Sequence, residues 1–156
     1  MTRSIVHASF TITRQWKASP ARVFAAFADE KQKGKWFAGP GQWEAIEREF
    51  DFRENGIEIL AGRWTNGMVT KFHCVYRDIV EPTAGDAGRI VYSYVMFKDG
   101  QKLSVSQAAV EIIPDGKGTK FVLTEYGDYF DGYDDAGGRE QGTNHLMDML
   151  EKSLVD

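Results

Sequence analysis

Between residues 118 and 150 three local patterns follow one another without a break: a strand, an acidic turn-rich loop and a helix. In the strand, Phe121, Leu123 and Glu125 share one face while Lys120, Val122 and Thr124 share the other, because successive side chains of an extended chain point to opposite sides. A carboxylate thus continues an apolar row, and a glutamate on the inner face of a sheet requires a partner or a purpose. The helix begins at Asp134 or Ala136 and reaches Leu154, with Leu146, Met147, Leu150 and Leu154 on one stripe. It is the only helical pattern in the chain long enough to cover a sheet.

The preceding residues supply that sheet. Phe10, Ile12, Arg14 and Trp16 share parity in a first strand over 8–17. Ser19 and Pro20 stop it and open a short helix: Ser19 suits the N-cap, Pro20 the first helical position, and Val23, Phe24 and Phe27 recur at helical spacing up to Asp29. A second short helix is expected over 31–37, and the Gly- and Pro-rich stretch 38–43 is a loop. Strands then follow at 44–53, 57–64, 69–80, 89–97 and 102–113, with the seventh entered at Gly118. Asn55-Gly56 predicts a tight hairpin turn with positive φ, and Lys98-Asp99-Gly100 marks another. Hairpin-joined strands are antiparallel, so the fold class is α+β: a curved seven-stranded antiparallel sheet, two short helices at one end, and a long C-terminal helix enclosing a cavity. With no repeat or linker, the 156 residues read as a single domain over 1–156.

Composition narrows the function classes. A net charge of −4 without a cluster of Lys or Arg gives no surface for nucleic acid. Cys74 is the only cysteine, so no internal disulfide is available, and His7, His73 and His145 lack zinc spacing; no metal, cofactor motif or nucleophile elbow is expected. The first sixteen residues alternate polar and apolar where a signal peptide has a continuous apolar run, and no segment spans a membrane, which implies a cytoplasmic protein. Four Trp, six Tyr and ten Phe are a heavy aromatic load, and these side chains have something to line.

The order of elements, together with Arg14, Ser19-Pro20-Ala21-Arg22-Val23-Phe24, Trp36, Arg53-Glu54-Asn55-Gly56 and Gly118-Thr119, resembles the START-like (SRPBCC) superfamily. More narrowly, the chain is similar to bacterial relatives of the activator of the heat-shock-protein-90 ATPase, as are the stretches 75–80, 91–96 and 139–143. The resemblance covers essentially the whole chain and implies a helix-grip fold with an internal cavity; some relatives carry small apolar molecules and others assist a chaperone. Asn55-Gly56 stands where the family commonly has Gly-Gly, and Thr143 where it commonly has Trp.

Parity sorts the candidate site. Arg48, Phe50 and Phe52 share a face of the second strand; Tyr92, Tyr94 and Met96 share one on the fifth; Ser104 and Ser106 share one on the sixth. With Glu125 these place an arginine, a glutamate, tyrosine hydroxyls and small serines within an apolar wall. Trp36, Phe37, Tyr129 and Phe130 are expected at the entrance, with His145 at its edge on the last helix. Arg48 and Glu125 either contact a ligand or pair as buried charges, with Arg14 as the other partner open to Glu125. The leading expectation is a binder of a small apolar or aromatic molecule. A chaperone-binding module is the alternative, and a cyclase-like or hydrolase-like enzyme with Glu125 as base comes last. Pairing of two copies is left open.

Overall fold

The computed structural model describes residues 3–155. The elements are β1 (Ile5–Trp16), α1 (Pro20–Ala28), α2 (Glu30–Gly34), β2 (Glu44–Phe50), β3 (Ile57–Arg63), β4 (Val69–Val80), β5 (Gly88–Lys98), β6 (Gln101–Asp115), β7 (Gly118–Phe130) and α3 (Ala136–Ser153). The strands form one antiparallel sheet in the order β1-β7-β6-β5-β4-β3-β2. Every neighbouring pair except β1 and β7 is consecutive in sequence, so hairpins build the sheet one strand at a time. The helix pair carries the chain from one sheet edge to the other, and the sheet stays open.

Local chemistry sets the ends of the helices. Ser19 accepts from the Arg22 amide at 3.2 Å and caps α1, while Asp29 accepts from Gln32 at 3.0 Å and starts α2. Because α2 ends at Gly34, Trp36 and Phe37 lie beyond it and not within a helix over 31–37. The Trp36 indole N–H donates to the Ala26 carbonyl at 2.9 Å, which folds this segment back over α1.

β2 also ends earlier than its pattern suggests, at Phe50. The connection to β3 is a six-residue loop and not a tight turn. Asn55 has a φ of 67°, as a turn residue here should, but its N–H donates across to the Tyr76 carbonyl at 2.8 Å, and Tyr76 N–H returns a bond to Gly56 at 3.0 Å. Pairing with β4 thus draws the loop inward. Asp99 and Gly100 both take positive φ, 48° and 80°, as the two central residues of the expected hairpin.

The inner faces of β5, β6 and β7 hold Ile90, Val110, Ile112, Phe121 and Leu123, none more than 2% exposed. Met147 and Leu150 of α3 and Val23 and Phe27 of α1 close over them. The Phe121 ring stacks on Phe27 at 5.9 Å and leans on Trp16 at 4.7 Å. Arg14 fastens β1 to α3 through Asp148 at 3.0 Å and the Asn144 side chain at 3.1 Å. It is therefore committed to the helix and is not the partner of Glu125. No helix among the described residues is long and apolar enough to cross a membrane.

Candidate functional site

Residues of α3 between Gly138 and Met147 and the concave face of the sheet line a cavity of about 560 Å³. Small residues create the space. Register places Tyr92, Ala108 and Glu125 in one row across β5, β6 and β7, so the Ala108 methyl is all that fills the floor between a tyrosine and a glutamate. On α3, Gly138 and Gly142 lie one turn apart on the cavity wall, and a Cβ at Gly142 would meet nothing within 4 Å. At the rim Trp43 lies against Gly62 of β3, where an added Cβ would fall 2.0 Å from the indole; only glycine allows that approach.

The apolar wall is an aromatic chain. Phe37 meets Phe72 edge-on at 5.0 Å, Phe72 meets Tyr94 at 4.9 Å, and Tyr94 meets Tyr92 at 6.0 Å. Such pairs hold one another in fixed orientations beyond what their buried area provides.

Two polar clusters interrupt this wall. In the first, Tyr94 donates its hydroxyl hydrogen to Glu125 Oε2 at 2.7 Å and accepts from Arg139 Nη1 at 2.9 Å. Arg139 also donates to Ser106 Oγ at 3.5 Å, Ser104 Oγ at 2.7 Å and Asp134 Oδ2 at 2.8 Å, while its guanidinium covers the Tyr129 ring at 5.3 Å. Arg139 and Glu125 are 3.8 Å apart, an ion pair bridged by the tyrosine and not a direct bond. Burial raises the Glu125 carboxyl above the ordinary carboxylate range, against the opposing pull of the Tyr94 bond and of Arg139. Burial also acts to lower Arg139, but Tyr94, Glu125 and Asp134 outweigh it and hold the guanidinium above its usual value. Desolvation, then the Glu125 charge, push the Tyr94 hydroxyl well up, so it remains a neutral donor.

In the second cluster Lys33 of α2 pairs with Glu58 of β3 and donates to the Tyr76 hydroxyl at 3.2 Å, and Tyr76 donates to Glu58 Oε1 at 2.5 Å. The ammonium faces the Phe37 ring at 4.7 Å and the Phe50 ring at 5.6 Å. Among the described residues no three His, Cys, Asp or Glu side chains are grouped to hold a metal ion.

Of the residues singled out by sequence, Trp36, Phe37, Tyr92, Tyr94, Met96, Glu125 and His145 line the cavity. The others stand elsewhere. Arg48 pairs in register with Leu60 and so shares the inner face, but β2 is an edge strand and the side chain is exposed; it does not meet Glu125. Phe50 and Phe52 stack on each other at 6.0 Å, and Phe52 packs on Tyr76 at 4.9 Å and Phe24 at 5.7 Å, so they fill the space under α1. Ser104, Ser106 and Tyr129 lie beneath Arg139 and hold it from below, while Phe130 ends β7 opposite Ile5 and forms no entrance.

Sequence reasoning missed Arg139, Asp134, Lys33, Glu58 and Tyr76. Two of these left a signal. Arg139 falls on the same α3 stripe as Thr143, Leu146, Met147 and Leu150, and Glu58 continues the inward row of Leu60 as Glu125 continues that of Leu123. Lys33 left none, because its helix is too short to show a stripe.

A family model described as Activator of Hsp90 ATPase homolog 1-like protein matches residues 17–154. The chain belongs to this family. The fold is consistent with the START-like (SRPBCC) superfamily that its motifs resemble. A protein of Rhizobium leguminosarum is 38% identical with a TM-score of 0.90, covering 99% of this chain and 98% of its own. One of Rhizobium loti is also 38% identical, with a TM-score of 0.86 and coverage of 97% and 99%. The AHSA1-like protein of Aeromonas hydrophila is 18% identical with a TM-score of 0.68, covering 94% of this chain and 91% of its own, and shares the fold. No curated protein matches the chain. Membership in the Hsp90-activator-homologue-like family accounts for the scaffold.

Proposed function

We propose that this member of the family binds a small apolar or aromatic molecule in the cavity between α3 and the sheet. One observation carries the reading: about 560 Å³ of space lies against an aromatic wall that also presents an ordered group of polar side chains, Tyr94, Glu125 and Arg139. Mostly apolar concavity with a few fixed polar groups is the usual chemistry of small-molecule sites. A catalytic role for Glu125 is not needed to account for it, since its bond from Tyr94 and the nearby Arg139 explain how the carboxylate is kept inside the fold. Native mass spectrometry of the purified protein beside its denatured mass tests the reading. A retained small molecule that is lost in a Gly142→Trp variant, whose indole would occupy the open wall, is the expected result. A clean apo mass together with failure to bind any added hydrophobic probe would overturn it.

A further inference from the structure

The polar groups of the cavity are unequally spent. Arg139 directs four hydrogen bonds from its two terminal nitrogens to Tyr94, Ser106, Ser104 and Asp134. Lys33 gives its ammonium to Glu58 and Tyr76 and to the faces of the surrounding rings. Both cations are thereby neutralised by the protein. Glu125 is in the opposite condition: Oε2 takes the Tyr94 hydrogen, and no hydrogen bond from a described residue reaches Oε1. The Tyr92 hydroxyl, in the same row and separated from Glu125 by Ala108, likewise forms no hydrogen bond with a described residue. The two cations that line the cavity are both engaged, Lys33 with Glu58 and Arg139 with Asp134 and Glu125, so neither stands free for a further anion.

We infer that the ligand carries a hydroxyl or N–H donor that lands on Glu125 Oε1, and that anionic head groups such as carboxylates are refused. This rests on the cavity being a binding site and names the chemistry of what enters it. A donor meets an acceptor that the fold leaves open, whereas a ligand carboxylate would face Glu125 with both neighbouring cations already engaged. A ligand that covers this acceptor without offering a donor loses more than an average hydrogen bond contributes, so the discrimination is steep. Tyr92, able to donate or accept, would then hold the other side of the same polar group.

Three probes of one ring size separate the possibilities: 4-phenylphenol, 4-methylbiphenyl and biphenyl-4-carboxylate, titrated at about pH 7.5, where an ordinary carboxyl is ionised and a phenol is not. Binding is read from the tryptophan emission of Trp36 and Trp43, both on the cavity wall. The phenol is expected to bind ~10-fold or more tightly than either of the others, the ratio set by a hydrogen bond to a charged acceptor. In Glu125→Leu the phenol should lose that preference over the methyl compound, and in Glu125→Gln, which keeps a neutral acceptor, retain part of it; circular dichroism checks that each variant is folded. Equal binding of phenol and methyl compound, tighter binding of the carboxylate, or a preference unchanged in a folded Glu125→Leu would each overturn the inference while leaving the cavity a binding site. Binding of none of the three would overturn this inference, and a clean apo mass beside it would overturn the cavity reading as well.

Discussion

Lys33 of α2 and Glu58 of β3 form an ion pair that is 6% and 2% exposed, the most deeply buried pair of opposite charges among those described here. It ties the helix pair to the sheet edge at one side of the cavity, and Tyr76 completes it from β4. Taking both charges out of water is expensive, and mutual attraction with the tyrosine bond offsets that only while all three are present. Removing one partner leaves a lone buried charge. Lys33→Met and Glu58→Leu should each lower stability by about 3–5 kcal/mol, while the double variant should recover most of the loss. Urea unfolding of the four proteins checks this, and additive losses would show that the two residues do not act as a pair.

Glu125 gives the fold a pH signature of defined sign. Its carboxyl titrates at a higher pH when folded than when unfolded, so the folded chain holds the proton more tightly and ionisation costs stability. Below the unfolded value both states are protonated and nothing is lost; stability then falls as pH rises through the folded value and levels off above it. The difference in Tm between the protein and its Glu125→Gln variant should therefore decline upward from the ordinary carboxylate range. A difference that grows with pH would mean that the ion pair with Arg139 outweighs burial.

Two glycine-to-alanine changes should act in opposite directions. Gly142 lies in the interior of α3 with open space around it, so Gly142→Ala should add about 0.5–1 kcal/mol through helix propensity. Gly62 supports the Trp43 indole, and Gly62→Ala should cost about 1–3 kcal/mol by forcing that ring away. Thermal unfolding gives both signs, and the Trp43 shift in emission should accompany only the second.

Cys74 is fully buried, and desolvation raises its thiol to about 12 despite the opposing pull of Lys33. Thiolate and not thiol is the reactive form. The native protein should leave a chromogenic disulfide reagent unreacted at about pH 8, well below that thiol's titration, and react with one equivalent only in denaturant. Rapid labelling of the folded protein would contradict both the burial and the shift.

Much of this architecture is legible in residues read singly and in pairs. Alternation in 118–130 puts Phe121, Leu123 and Glu125 on the inner face, alternation in 102–113 does the same for Ser104, Ser106 and Ala108, and each of these is buried. Period-two alternation survives into the structure because one face of those strands must be covered. The same rule gave Arg48 the correct face but the wrong surroundings. Parity says which way a side chain points, and only strand order says that β2 lies at an edge where an inward arginine reaches water.

The strand and helix patterns, the antiparallel pairing through hairpins and the face on which Glu125 lies are all encoded locally, since they follow from backbone geometry and short-range periodicity. Tertiary structure alone decided which charge answers that glutamate. Arg139 follows it in the chain but belongs to another element, and it reaches the site because α3 crosses the sheet with its glycines toward the gap and its arginine over two serines. Lys33 and Glu58 meet for the same kind of reason: α2 and β3 are brought together by the crossing from one sheet edge to the other. Long-range pairing of buried charges depends on where whole elements pack, and no spacing within a single element encodes that.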